Sequence, residues 1–313
     1  IDVAKWCGQE EHIGKHNVQG KIHSQIYEVD GKLYCTTTTA HRPPDIEGLG
    51  GHFLSYDLET GEFTDLGRYD APRGGLLTAY YEPVFRRLYA ISQVGQTLCY
   101  YDFDTGKIVT CGSTADDEGG HQTRMLMSDT FGCIYGGFGA GMIWRYNPHT
   151  DGFGCLMTRL PYDPNAPQPE PGSWHYGWRH WHPIVWDPKT KWWYGVRTND
   201  EYLFRLRLPD SPRSMRGQAE GLAPFGFRPS AEQPRFASLA MAIRGDDIYY
   251  VSYKWAKTNA RLMHYHIPSG RVTDMGPIVC DDGMGLTESH SMVVGADGKL
   301  HLVGMVWSRK GKD

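Results

Sequence analysis

Apolar residues in this chain come in short runs of β-branched and aromatic side chains, each broken by a tight polar turn. FLSYDLETGEFTDLG (53–67), LCYYDFDTGKIVTCG (98–112), IWRYNPHTDGFGCLM (143–157) and LMHYHIPSGRVTDMG (262–276) repeat one phrase. Each reads as strand, Thr/Ser/Asp-Gly turn, strand. LFRLRLPDSP (203–212) is a degenerate copy. Ahead of these lie IHSQIYEVDGKLYCTT (22–37), LLTAYYEPVFRRLYAIS (76–92), RMLMSDTFGCIYGGF (124–138), HPIVWDPKTKWWYGV (182–196) and LAMAIRGDDIYYVSY (239–253). A sixth first half, HSMVVGADGKLHLVGM (290–305), has no partner after it. The spacing is roughly fifty residues, and no stretch shows a convincing 3.6-residue periodicity. The pattern predicts an all-β chain, a β-propeller of six four-stranded blades forming one domain over residues 1–313. A seventh blade has room in 158–178 or 209–236. The unpartnered last unit predicts that N-terminal residues pair near 290–306 and close the ring.

Register then nominates a site. Aligning the units on the residue after the turn (Tyr34, Tyr89, Tyr135, Trp193, Tyr249, His301) and stepping back eleven positions gives His23, Thr78, Arg124, His182, Ser238 and His290. All six are polar. In a propeller this position opens the innermost strand, so the six are expected to converge on the mouth of a central channel. His121, Tyr176, Arg179, His180, Tyr80 and Gln25 fall near the same ring. A channel-lining histidine contributes little burial, so His182→Ala is expected to cost ~1 kcal/mol or less in stability.

The stretch SWHYGWRHWHPIVWD (173–187) is the richest in chemistry. An extended strand puts His180 and His182 on one side, a common way to offer two imidazoles to a metal ion, with His23 or His290 as further ligands. Trp174, Tyr176, Trp178 and Trp181 crowd around them with flat rings suited to pyranose faces. Arg124, Arg179 and Arg197 could pair with a uronate carboxylate through two-bond forks. HYH at 264–266 has the same spacing, but its outer-half position reads as surface.

Composition narrows the partners. With 36 acidic and 32 basic residues the formal charge is −4, which gives a nucleic-acid or membrane-surface role no electrostatic support. No run approaches the ~18 apolar residues of a membrane span. The opening IDVAKWCGQEEH lacks the apolar core of a signal peptide. The 7 cysteines are an odd number without a CxxC pair, which favours reduced thiols. Cys99 and Cys111, equidistant from Thr105, are the one pair placed to face each other across a hairpin.

HWHPIVWDPKTKWWY resembles the His-x-His-Pro inner strand of oligogalacturonate lyase, and the wider arrangement of His, Tyr and Arg is similar to propeller lyases acting on ulvan. The resemblance covers about fifteen residues strictly. It implies a divalent metal (Mn, Ca or Zn) held by His180 and His182, with the family's glutamine falling on Gly177 here. The implied activity is β-elimination of a uronic-acid glycoside, the partner being an acidic oligo- or polysaccharide bound by a monomer or small homo-oligomer. In that chemistry Arg124 and Arg179, or a metal, neutralise the carboxylate, His182 or His121 takes the C5 proton, and Tyr176 or a second His protonates the leaving oxygen. Arg197, Trp174, Trp178, Tyr80 and Gln25 bind substrate. Two other readings use the same residues: a metal-dependent propeller hydrolase or lactonase, and a non-catalytic glycan-binding scaffold.

Overall fold

The recurring phrases fold as antiparallel hairpins because each ends its first strand on a side chain that caps the turn. In the computed structural model, residues 2–13, 18–39, 49–72, 75–92, 95–114, 123–162, 180–197, 202–222, 236–254 and 259–306 are described. Asp57 accepts hydrogen bonds from the Glu59 and Thr60 backbone N–H groups, and Asp102 accepts from Thr105. Asn147 and Asp187 repeat this at His149 and at Lys189 and Thr190. The residue after the Thr must turn left-handed: Gly61 has φ 75° and Gly106 φ 66°. Asp151 (φ 50°) and Lys191 (φ 60°) occupy the same place with a side chain attached.

Six sheets follow one another along the chain, the strand pattern of a six-bladed β-propeller. Blade 1 comprises Gln19–Ile22, Tyr27–Val29, Lys32–Thr39, Leu49–Asp57 and Phe63–Pro72. Blade 2 runs Leu76–Glu82, Arg87–Ser92, Thr97–Asp102, Lys107–Ser113, and blade 3 Met127–Ser128, Ile134–Phe138, Met142–Asn147, Gly152–Cys155. Blade 4 runs Trp181–Asp187, Trp192–Arg197, Leu203–Arg207, Gln218–Gly221. Blade 5 comprises Phe236–Ala237, Met241–Arg244, Asp247–Lys254, Arg261–His266 and Arg271–Pro277, and blade 6 Leu286–Val294 with Leu300–Val306. The longest helix among the described residues is Val3–Trp6, so none is long and apolar enough to cross a membrane.

By contact density the chain forms two compact units: Ile1–Phe138 with Trp144–Cys155 and Ser211–Arg213, and Gly139–Ile143 with Leu156–Asp210 and Ser214–Asp313. In the first, apolar side chains pack between neighbouring blades, with Phe53, Leu76, Leu88 and Cys99 in one cluster and Tyr89, Leu98, Leu126 and Trp144 in the next. In the second, Tyr194, Leu203, Ile248 and Met263 form one cluster and Ala242, Val251, Leu286 and Met292 another. Burying these faces supplies the main driving force for folding, ~25 cal/mol per Å² of apolar surface.

One expectation, the Cys99–Cys111 bridge, needs correction, and the closure of the ring lies partly outside the described residues. The N-terminal strand Gln19–Ile22 pairs with Thr37–Thr39 of blade 1, and among the described residues Leu286–Val294 and Leu300–Val306 form a two-stranded sheet without it. The helix before that strand explains the choice, since Val3 and Cys7 bury against Cys35 and Leu54 of the same blade. Cys99 and Cys111 do not bridge, and all seven cysteines are free. The turn pairs Asp102 with Lys107, which brings Thr110 opposite Cys99, and a register shift follows. Cys99 joins the cluster on one face of the blade while Cys111 packs against the other.

Candidate functional site

In every blade the innermost strand loses regular pairing at or beside the register residue. His23 lies between Gln19–Ile22 and Tyr27–Val29, Arg124 precedes Met127–Ser128, and Ser238 lies between Phe236–Ala237 and Met241–Arg244. Register shifts flank Thr78, His182 and His290. Small hydroxyls satisfy the backbone groups these breaks leave open. Ser24 Oγ accepts from the Thr36 N–H at 2.9 Å, Thr123 Oγ1 accepts from Gly137 N–H at 2.6 Å, and Ser289 Oγ donates to the Val303 carbonyl at 2.8 Å. Such irregularities re-aim side chains and are over-represented beside active sites.

The first unit holds five of the nominated residues. Half-buried Arg124 donates from Nη1 to His23 Nδ1 over a long 3.4 Å contact. A guanidinium has no acceptor, so Nδ1 carries the lone pair and the neutral ring proton sits on Nε2. The Arg124 carbonyl is clamped by Gln25 Nε2 at 3.1 Å and Thr78 Oγ1 at 3.4 Å. Gln25 Oε1 is buried with no hydrogen-bond partner among the described residues. Tyr80 shares a 3.0 Å hydrogen bond with Ser128 Oγ, and Tyr27 meets it edge-on at 5.8 Å between ring centroids. Burial pushes both phenols up, with the neighbouring Tyr80 adding to the effect on Tyr27. Both therefore stay protonated near neutrality. Guanidinium and imidazole groups of this kind can bind or exchange protons with a polar ligand, and the buried Gln25 carboxamide oxygen can accept one further hydrogen bond.

The second unit treats its nominated residues differently. His180 and His182 are neighbours, with ring centroids 5.6 Å apart, but they are only 0% and 3% exposed. Arg197, also buried, donates to the Pro161 carbonyl at 2.8 Å and so ties down the chain after blade 3. His290 is exposed, whereas Ser238 is fully buried. Thr78 in the first unit is buried too, with Oγ1 bonded to the Thr123 carbonyl at 3.0 Å. His264 is fixed by Asp247 at 2.7 Å and stacks on Tyr249. His121, Trp174, Tyr176, Gly177, Trp178 and Arg179 lie outside the described residues.

Among the described residues no group of three or more His, Cys, Asp or Glu side chains is arranged to hold a metal ion. Register missed Tyr27, Ser24 and Ser128. Each sits within five residues of a register position, and only the broken inner strands reveal their part.

No family model matches the chain, and no curated protein matches it. Solved structures do. A periplasmic gluconolactonase from Pseudomonas aeruginosa is similar with a TM-score of 0.63 and 11% identity over 92% of this chain and 79% of that one. A candidate 6-phosphogluconolactonase from Bacteroides uniformis gives 0.58 and 12% over 91% and 78%. The β-propeller domain of a Myceliophthora thermophila Cps50 (Swd1) protein gives 0.57 and 12% over 92% and 84%. At these identities the likeness supports the propeller fold, and it does not single out polysaccharide lyases.

Proposed function

We propose that this propeller is a carbohydrate-active enzyme that binds the carboxylate of a uronic-acid sugar at Arg124 and cleaves the glycosidic bond by β-elimination. The observation that carries the reading is the Arg124 guanidinium resting on His23 Nδ1 at 3.4 Å. A sugar carboxylate offers the guanidinium two parallel charge-assisted hydrogen bonds. Drawing Arg124 onto it neutralises the carboxylate, makes the C5 proton more acidic and frees the His23 lone pair to accept that proton. The C5–H electrons become the C4=C5 double bond, the C4–O bond breaks, and the Tyr80 hydroxyl supplies the proton to the departing oxygen. Gln25 Oε1 accepts from a sugar hydroxyl.

A second reading is hydrolysis of a sugar-acid lactone, favoured by the two lactonase-named neighbours. The same cluster would then polarise the ester carbonyl through Arg124 while His23 activates water. One assay separates them. Uronate oligosaccharides yielding an ultraviolet-absorbing unsaturated product support elimination, whereas acid release from a lactone without that chromophore supports hydrolysis. Turnover of either kind that survives Arg124→Ala and His23→Gln unchanged would remove the site from the chemistry.

A further inference from the structure

A second buried polar chain in the first unit plays no part in the reaction proposed above. His52, 5% exposed on Leu49–Asp57, lies 2.8 Å from Asp65 Oδ2 through Nδ1 and 2.9 Å from Gln9 Nε2 through Nε2. Gln9 follows the helix Val3–Trp6 and is 3% exposed. Its Oε1 accepts from the Gln19 backbone N–H at 2.8 Å. That N–H can only donate, which fixes the carboxamide and turns its amino group toward His52. The amino group can only donate as well, so His52 Nε2 accepts and the ring proton sits on Nδ1 against Asp65. Gln19 Oε1 in turn accepts from Thr37 Oγ1, which accepts from the His52 backbone N–H, both at 2.9 Å. Every role follows from one backbone donor.

This chain tolerates one protonation state. A second proton on His52 would aim an Nε2–H at the Gln9 amino group, donor against donor. Turning the carboxamide over only moves the conflict to the Gln19 N–H. Other ionisable groups face His52 from each neighbouring element. On Phe63–Pro72 these are Asp65 and Arg68, the latter directly across from His52. Burial raises the Asp65 carboxyl, but His52, the Gly67 N–H and Arg68 outweigh it and hold the carboxyl below its usual range, so it stays ionised in mild acid. Cys7 at the end of the helix and Cys35 from Lys32–Thr39 are pushed up to about 12 by burial and carry no charge. The Asp65 carboxylate thus favours a proton on His52 that the Gln9 contact opposes.

We propose that His52 and Gln9 form a proton-operated latch: neutral His52 docks residues 2–13 on blade 1, and protonation of His52 releases them. Apolar contacts from Val3 and Cys7, and Trp6 stacked on Phe63 at 3.6 Å, hold the segment from the other side and do not titrate. Docking should therefore weaken when the solution is made acidic enough to put a second proton on the imidazole. The test is hydrogen-exchange protection of the Trp6, Cys7, Gly8 and Gln9 amides in the full chain, whose N–H groups bond within the segment. Protection is expected to fall about tenfold from pH ~7.5 to ~5 while amides of Arg87–Ser92 keep theirs. In Gln9→Glu a carboxylate accepts from both the Gln19 N–H and a protonated His52, so protection should hold or rise at the lower pH. Equal protection of the wild type at both pH values, or acid release in Gln9→Glu as in the wild type, would overturn the latch. If Gln9→Glu does not fold, ¹⁵N spectra of the wild-type imidazole decide. A bare Nε2 near neutral pH is expected, and a proton found there overturns the assignment.

Discussion

The planar guanidinium of Arg124 can present two parallel N–H donors to a carboxylate, a geometry that a lysine ammonium cannot reproduce. Arg124→Lys preserves the charge but not the planar fork, so turnover on uronate substrates is expected to fall about 100-fold or more with the melting temperature unchanged. Steady-state kinetics beside a thermal melt would check this. His182 tests the opposite case. At 3% exposure it fills space, so His182→Ala should cost about 2–3 kcal/mol through the cavity left behind, read by chemical denaturation. This replaces the expected stability cost of ~1 kcal/mol or less, and the loss of turnover expected of the same variant must be judged against its stability. The contrast marks what could be read in advance. Polar residues at the start of each inner strand were visible from spacing alone. Their directions were not, because each lies at a break or register shift, and a slip of one residue exchanges the faces of a strand.

At the scale of elements the hairpins were legible because their turns are written in local chemistry. The carboxylate or carboxamide that closes a strand and the left-handed residue four positions on are close in sequence, so no distant contact is needed to specify them. Two of these turns offer tests. Lys191 holds φ 60°, which costs a residue with a Cβ about 1 kcal/mol or more, so Lys191→Gly should stabilise blade 4 by up to ~1 kcal/mol despite glycine's greater freedom in the unfolded chain. Asp102 supplies a pH test. Burial raises its carboxyl, but hydrogen bonds from Thr105 and Arg87 outweigh that and leave it below the ordinary carboxylate range. Its contribution to stability is therefore present above the unfolded value of ~3.9 and lost as pH falls through the lower folded value. Denaturation of wild type and Asp102→Asn should show a stability gap at neutral pH that closes in acid. Longer-range pairing could not be read this way. Nothing local distinguishes Gln19–Ile22 as a partner for blade 1 rather than blade 6; the choice is made by Val3 and Cys7 packing on Cys35 and Leu54.

Across the whole molecule the seven cysteines act as dispersed reporters of packing, since no bridge removes any of them from the count. Cys155 and Cys280 are exposed; Cys7, Cys35, Cys99 and Cys133 are buried, and Cys111 is half-buried. Burial raises the Cys111 and Cys133 thiols to about 12, as it does Cys7 and Cys35, and raises Cys99 well above its ordinary value. The thiolate is the reactive form, so each buried site is protected both by poor access and by protonation. In the native state a thiol reagent should therefore modify two cysteines quickly, with Cys155 slowed because partial burial raises its thiol too. The other five should react only as their blades open, on the timescale of unfolding. In denaturant without reductant all seven should react at once, and a reducing agent should leave the melting temperature unmoved. A shortfall in the denatured count would reveal a disulfide and contradict the placement of Cys99 and Cys111 on opposite faces of blade 2. A native count well above two would show that the packing between blades opens far more readily than side chains this deeply buried allow.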